Sequence, residues 1–277
     1  MKLHTGLVAG VAALVLCPLS PLTPARAEMI QPRRLVDSHT AGVLPKAFFD
    51  FETRIYPAGD TTIHGSGLYV EVAVGVTDRL NIGLGYGGDG LIGRGKARPN
   101  PVPGAHVKYR LIEESFALPA LALGYEHQGY GGIREDDDYT GYLYKSQGFF
   151  ASLSKNYMLL AAMQLGFHGA VNFSLEEVGD VSWPDVSVGL DFALNEELAV
   201  AVEYDCALDY RDPDSDTYAN PLFGFLNIGI RWRFAEAFYV QFNAKDVLQN
   251  NTRLTIDGER ERIPWSRELK LVYLSQF

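Results

Sequence analysis

From Lys46 to the end of the chain, short segments alternate apolar and polar residues, and the connections between those segments are by turns short and long. A period of two puts successive side chains on opposite sides of an extended strand. Leu68, Val70, Val72, Val74 and Val76 share one side, while Tyr69, Glu71, Ala73 and Gly75 share the other. After Thr77-Asp78-Arg79 the pattern resumes, with Leu80, Ile82, Leu84 and Tyr86 opposed to Asn81, Gly83, Gly85 and Gly87. Such a pair reads as a hairpin with a short turn. Four more pairs turn at Glu113-Glu114-Ser115, Lys155-Asn156, Asn195-Glu196-Glu197 and Ala235-Glu236. One strand is left at each end, the first around Phe49, Phe51 and Ile55, the last around Leu269, Leu271 and Tyr273. Longer polar connections fall near 57–65, 88–104, 129–144, 170–183, 206–221 and 248–264.

Short turns at one rim, long loops at the other and an even strand number define the transmembrane β-barrels of bacterial outer membranes. Segments near ten residues match the roughly 9–11 that a tilted spanning strand needs. The expected fold is therefore all-β: an antiparallel up-and-down barrel of about twelve strands, with short periplasmic turns and long extracellular loops. A soluble sandwich or lipocalin-type barrel also alternates, but it has no reason to place every long loop on one side. Mean hydropathy near zero argues against a bundle of membrane helices. A barrel hides its lipid face in such an average, because lumen residues cancel it. The 28 glycines, 15 tyrosines and 15 phenylalanines suit tight turns and aromatic girdles.

The N-terminus has the anatomy of a secretory signal. Lys2 supplies charge, Gly6 to Leu16 an apolar run too short to span a bilayer, and Ala25-Arg26-Ala27 a small-x-small cleavage pattern. We expect residues 1–27 to be the signal peptide, 28–45 a periplasmic segment or a plug for the lumen, and 46–277 the barrel. Cleavage removes Cys17 and leaves Cys206 alone, so no internal disulfide is expected. It also leaves 22 basic against 34 acidic residues, a formal charge of −12 that disfavours nucleic acid as a partner.

The C-terminal run from Leu269 to Phe277, with Tyr273 and the terminal Phe277 as its aromatic positions, resembles the assembly signature of outer-membrane proteins. Ser275 departs from that pattern, which favours an apolar residue there. The resemblance implies outer-membrane lipid and lipopolysaccharide as surroundings, and delivery by the barrel-assembly machinery with both termini periplasmic. The stretches Leu35 to Ala41 and Val74 to Leu80 resemble the start of YjbH-type outer-membrane proteins, which implies a role in the envelope or in exopolysaccharide export.

Function in a barrel is sought on the face opposite the lipid. The lumen-lining candidates are Glu52, Arg54, Glu71, His106, Lys108, Arg110, Glu126, Asp191, Glu203, Arg231, Arg233 and Lys245. Their mixed charge suits a small channel for polar solutes. It suits equally a filled, non-conducting barrel with a structural or assembly role. The small residues Gly83, Gly85 and Gly87 leave room for water or for an inserted segment. We expect no catalytic, metal or cofactor-binding residues, since no histidine lies in a recognisable Ser-His-acid context and no cluster has metal-ligand spacing. The acids Asp212, Asp214 and Asp216 lack the central Gly and distal Glu of a calcium loop and read as solvated surface.

Overall fold

The computed structural model describes residues 31–57, 65–93, 96–136, 139–160, 163–176, 183–210, 218–219, 223–254, 260–262 and 264–277. The signal peptide and its cleavage site, and the acidic run Asp212 to Asp216, lie outside the described residues.

Twelve antiparallel strands close on themselves: β1 Phe48–Pro57, β2 Gly65–Gly75, β3 Leu80–Gly93, β4 Gly104–Ile112, β5 Ala120–Glu126, β6 Gly148–Leu160, β7 Met163–Phe173, β8 Asp185–Ala193, β9 Leu198–Asp205, β10 Phe225–Ala235, β11 Phe238–Lys245 and β12 Ser266–Gln276. Each strand pairs with its neighbours in sequence, and β1 pairs with β12 from Phe48 against Gln276 to Ile55 against Leu269. Closure leaves no sheet edge, so every strand finds ladder partners on both sides.

The alternation sorts as the sequence indicates. On β1, Asp50, Glu52 and Arg54 are buried within the barrel while Phe51 faces out. On β2, Tyr69, Glu71 and Ala73 point in and Val72 out. Tyr86, Tyr109, Phe149, Phe167, Trp232, Phe234 and Phe238 are all exposed on the outer surface. A closed barrel that is polar within and apolar without is porin-like in build, and its outer face matches hydrocarbon.

One turn is displaced from its expected position. Lys155-Asn156 is not a turn: β6 runs on to Leu160, and Met163 pairs with Leu160. The two polar residues are tied instead to the adjoining short connection. Lys155 Nζ donates to the carbonyls of Ser115 and Phe116, and Asn156 Nδ2 donates to Glu114. The connection between β5 and β6 also holds structure of its own, an antiparallel pair of Tyr130–Asp136 with Tyr139–Tyr144.

The largest feature inside the barrel is not a strand. Gln31 to Phe277 form one compact unit, and residues 31–45 lie in the lumen with Leu35, Val36, Ala41, Val43 and Leu44 buried. The segment is a narrow hairpin. Arg34 and His39 bridge antiparallel, the Leu35 amide donates to the Ser38 carbonyl, and the Thr40 amide to the Arg33 carbonyl. Its base is at the short-turn rim, where Gln31 meets Glu114 and the Lys46 amide meets Asp78. Its tip points toward the long-connection rim.

Candidate functional site

A backbone buried without a ladder must find partners for its N–H and C=O groups elsewhere. Here the lumen wall supplies them. The amides of Val36, Asp37 and Ser38 all donate to Glu203 Oε2, at 3.1, 3.1 and 2.8 Å. Three successive N–H groups on one carboxylate oxygen make an anion-holding nest at the tip. Glu203 Oε1 accepts from Asn227 Nδ2 at 2.9 Å, so both its oxygens are engaged. Lys108 Nζ donates to the carbonyls of Arg33, Thr40 and Gly42 at 2.7, 3.1 and 3.2 Å, stapling the two arms together. Asn81 holds Leu44 through both amide and carbonyl, at 2.7 and 3.0 Å. Gln241 and Lys270 reach the carbonyls of Leu35 and Val36.

Charged side chains add a second layer of fixation. Arg33 grips Asp50 with a two-pronged pair of hydrogen bonds at 2.7 and 2.8 Å and reaches Glu71 at 3.0 Å. Arg34 donates to Glu126 and lies 3.5 Å from Glu71. His39 stacks on Phe150, with ring centroids 3.9 Å apart. Asp37, at the tip, receives Lys245 at 2.8 Å, Tyr130 at 2.6 Å and Arg54 at 3.3 Å, all on Oδ1. The arms thus carry cations into an acidic part of the wall, and the tip carries an anion into a basic part.

The candidates picked from sequence divide accordingly. Glu52, Arg54, Glu71, His106, Lys108, Glu126, Asp191, Glu203 and Lys245 are buried on the inner face. Arg54 bonds Glu52 at 2.6 Å, and His106 Nδ1 lies 3.6 Å from Glu71. Arg110, Arg231 and Arg233 lie near the short-turn rim. Arg110 donates to the Asp78 carbonyl, Arg231 to Gln241, and Arg233 lies 3.7 Å from Glu196. The inward glycines of β3 do not make room for the inserted segment. A side chain at Gly83 would meet the His106 ring, and one at Gly85 the Tyr69 hydroxyl, so these glycines accommodate large inward residues of neighbouring strands.

A Ser-His-acid context, not expected from sequence, does arise across three strands. Ser154 Oγ lies 2.8 Å from His168 Nδ1, and His168 Nε2 lies 2.6 Å from Asp191. Hydrolase triads need an exposed hydroxyl and donors placed for an oxyanion. Ser154 is buried and its Oγ accepts the Ala41 amide of the hairpin at 2.8 Å, so the chain serves as a tether.

At the long-connection end of the hairpin lies a cavity of about 380 Å³. Its floor includes Arg34 and Asp37 of the hairpin, and its walls include Arg54, Tyr130, Tyr144 and Trp265. Arg34, Asp37 and Tyr130, which line this vestibule, are not among the lumen candidates read from the sequence, and neither is Arg33 further down the hairpin. The usable signal was the paired Arg33-Arg34 followed by Asp37 in a short segment next to strands that carry Asp50, Glu52 and Glu71 inward.

No family model and no curated protein matches the chain, so the resemblance to YjbH-type proteins rests on the quoted residues alone. Solved structures overlap it loosely. The KdgM porin covers 83% of this chain with 99% of its own length, at 6% identity and a TM-score of 0.42. The Acinetobacter baumannii outer membrane protein Omp33 covers 84% with 99%, at 9% identity and 0.44. An outer membrane channel from Pseudomonas putida F1 covers 89% with 100%, at 11% identity and 0.40. Overlaps of this size leave the function to be argued from the chain's own geometry.

Proposed function

We propose that the protein is an outer-membrane, porin-like barrel for polar solutes whose lumen is held closed by its own N-terminal hairpin. The lipid-matched exterior, the closed ladder and the C-terminal aromatic strand support an outer-membrane address with both termini periplasmic. They also support assembly by the barrel machinery among lipid and lipopolysaccharide. The observation that carries closure is the hairpin itself, bonded by wall side chains from its base at Glu114 to its tip at Glu203.

The bonds that fix the hairpin to the wall are polar, beside the buried Leu35, Val36 and Leu44, and polar fixation favours a gate over a permanent core. Each hydrogen bond that water can replace contributes only about 0.5–1.5 kcal/mol net. A hairpin held this way can leave while the barrel ladder stays intact. Planar-bilayer recording tests the reading. The intact mature chain should show little steady conductance, and a variant lacking residues 31–44 a stable ohmic one. Equal conductance in both, or silence in both, would refute the gate. Silence in both would instead favour a filled barrel with a structural or assembly role.

A further inference from the structure

Asp37 is the one acidic side chain that the hairpin tip contributes, and the wall receives it as a site built for an anion. Three side chains converge on a single oxygen, Lys245, Tyr130 and Arg54, and the Tyr130 hydroxyl also lies 2.8 Å from Glu268. The two cations are almost fully buried behind it, whereas the Asp37 side chain keeps 20% of its surface open. It forms part of the lining of the vestibule. The carboxylate therefore shares the lining of the cavity with its own partners Arg54, Tyr130 and Lys245.

Besides Asp37, these cations have carboxylates of the wall as partners, with Lys245 3.1 Å from Glu268, Arg54 2.6 Å from Glu52 and Lys270 3.9 Å from Glu52, so the cationic group stays in place when Asp37 leaves. The wall also offers a donor that the hairpin does not use, because Arg54 Nη2 is buried without a hydrogen-bond partner among the described residues. An unpaired guanidinium N–H beside a cavity costs free energy that an entering acceptor removes. The aromatic faces of Tyr130 and Tyr144 lie 4.7 and 3.9 Å from the Lys245 ammonium and hold that cation in place.

We propose that Arg54, Lys245 and Tyr130 form a binding site for the carboxylate or phosphate group of a small soluble solute. Asp37 occupies that site as an internal stand-in while the barrel is closed. Solute binding from the vestibule and docking of the hairpin tip then exclude one another, so the solute shifts the population toward a released tip. Asp185, Asp205 and Asp209 line the cavity on the β8–β9 side, with Asp209 paired to Lys145 at 2.7 Å. This deepens the gate reading and rests on the hairpin being displaceable.

Hydrogen exchange at the Val36, Asp37 and Ser38 amides, in the full mature chain in detergent, tests the proposal without relying on conductance. Inorganic phosphate and citrate are titrated at fixed ionic strength, with chloride as the control salt. The expected result is a saturable rise in exchange with phosphate or citrate and none with chloride. Asp37→Asn should exchange faster without any added anion and bind phosphate at least tenfold more tightly. Lys245→Met should lose the phosphate response, with heat-modifiable gel migration reporting that the barrel is folded. An identical response to chloride and phosphate, or unchanged phosphate affinity in Asp37→Asn, would overturn the proposal. A barrel that conducts freely yet shows the exchange response refutes the gate alone, and a silent barrel whose tip ignores phosphate refutes this site alone.

Discussion

At the scale of single residues, the lumen wall is specialised for holding backbone rather than for facing water. Lys108 shows the difference most clearly. Within its strand it belongs to a basic stripe with His106 and Arg110, and a stripe of that kind suggests a solute path. In the barrel its ammonium donates to three carbonyl oxygens of the hairpin, from Arg33, Thr40 and Gly42. Methionine keeps the length and volume of lysine and removes every donor; the Arg33 carbonyl keeps the Thr40 amide and the Thr40 carbonyl keeps Ser152 Oγ, so the Gly42 carbonyl is the group that loses its donor. An unsatisfied buried polar group costs about 1–3 kcal/mol. Lys108→Met should therefore loosen the hairpin by about 2 kcal/mol, read as a roughly thirtyfold rise in amide exchange at Thr40 and Ala41. Exchange in the middle of β9 should not change, because the ladder there owes nothing to Lys108. A variant in which both regions loosen together would mean that hairpin and barrel are one cooperative unit.

At the scale of elements, the period of two fixes which side of each strand meets lipid. Val72 projects outward from β2, paired across the ladder with Phe51 and Leu84, which are also exposed. A charged side chain on a lipid face costs roughly 2–4 kcal/mol near the bilayer midplane and less toward the rims. Val72→Arg should lower stability by up to that amount in equilibrium unfolding from lipid vesicles. Full native stability would reverse the assigned faces. Strand number and facing were legible because side-chain alternation is a local property, written into five to ten residues at a time. The β6–β7 turn was not, because Lys155 and Asn156 are polar for a reason three strands of chain away, namely the hydrogen bonds they make to residues 114–116. The lumen filling was only partly legible. Residues 31–45 have no period to read, and what marks them is complementarity: Arg33 and Arg34 against Asp50, Glu71 and Glu126.

For the whole molecule, the same complementarity says how barrel and hairpin depend on one another. The ladder is closed and needs no insert to complete its backbone hydrogen bonds. The lumen does need one electrostatically. Without residues 31–44, Asp50, Glu71 and Glu126 lose Arg33 and Arg34 and face each other across a wet interior. At about 10 mM salt the Debye length is roughly 30 Å and the repulsion is felt across the lumen; at 1 M it is roughly 3 Å and mostly screened. In the intact protein these carboxylates are paired and dry, so salt reaches them little. The deletion variant should therefore melt well below the intact chain in low-salt detergent, and the gap should narrow as salt rises while the intact chain moves little. A gap that stays constant with salt would assign the hairpin's contribution to packing. In that case Leu35, Val36 and Leu44, buried with it in the lumen, would carry the closed state in place of the charges.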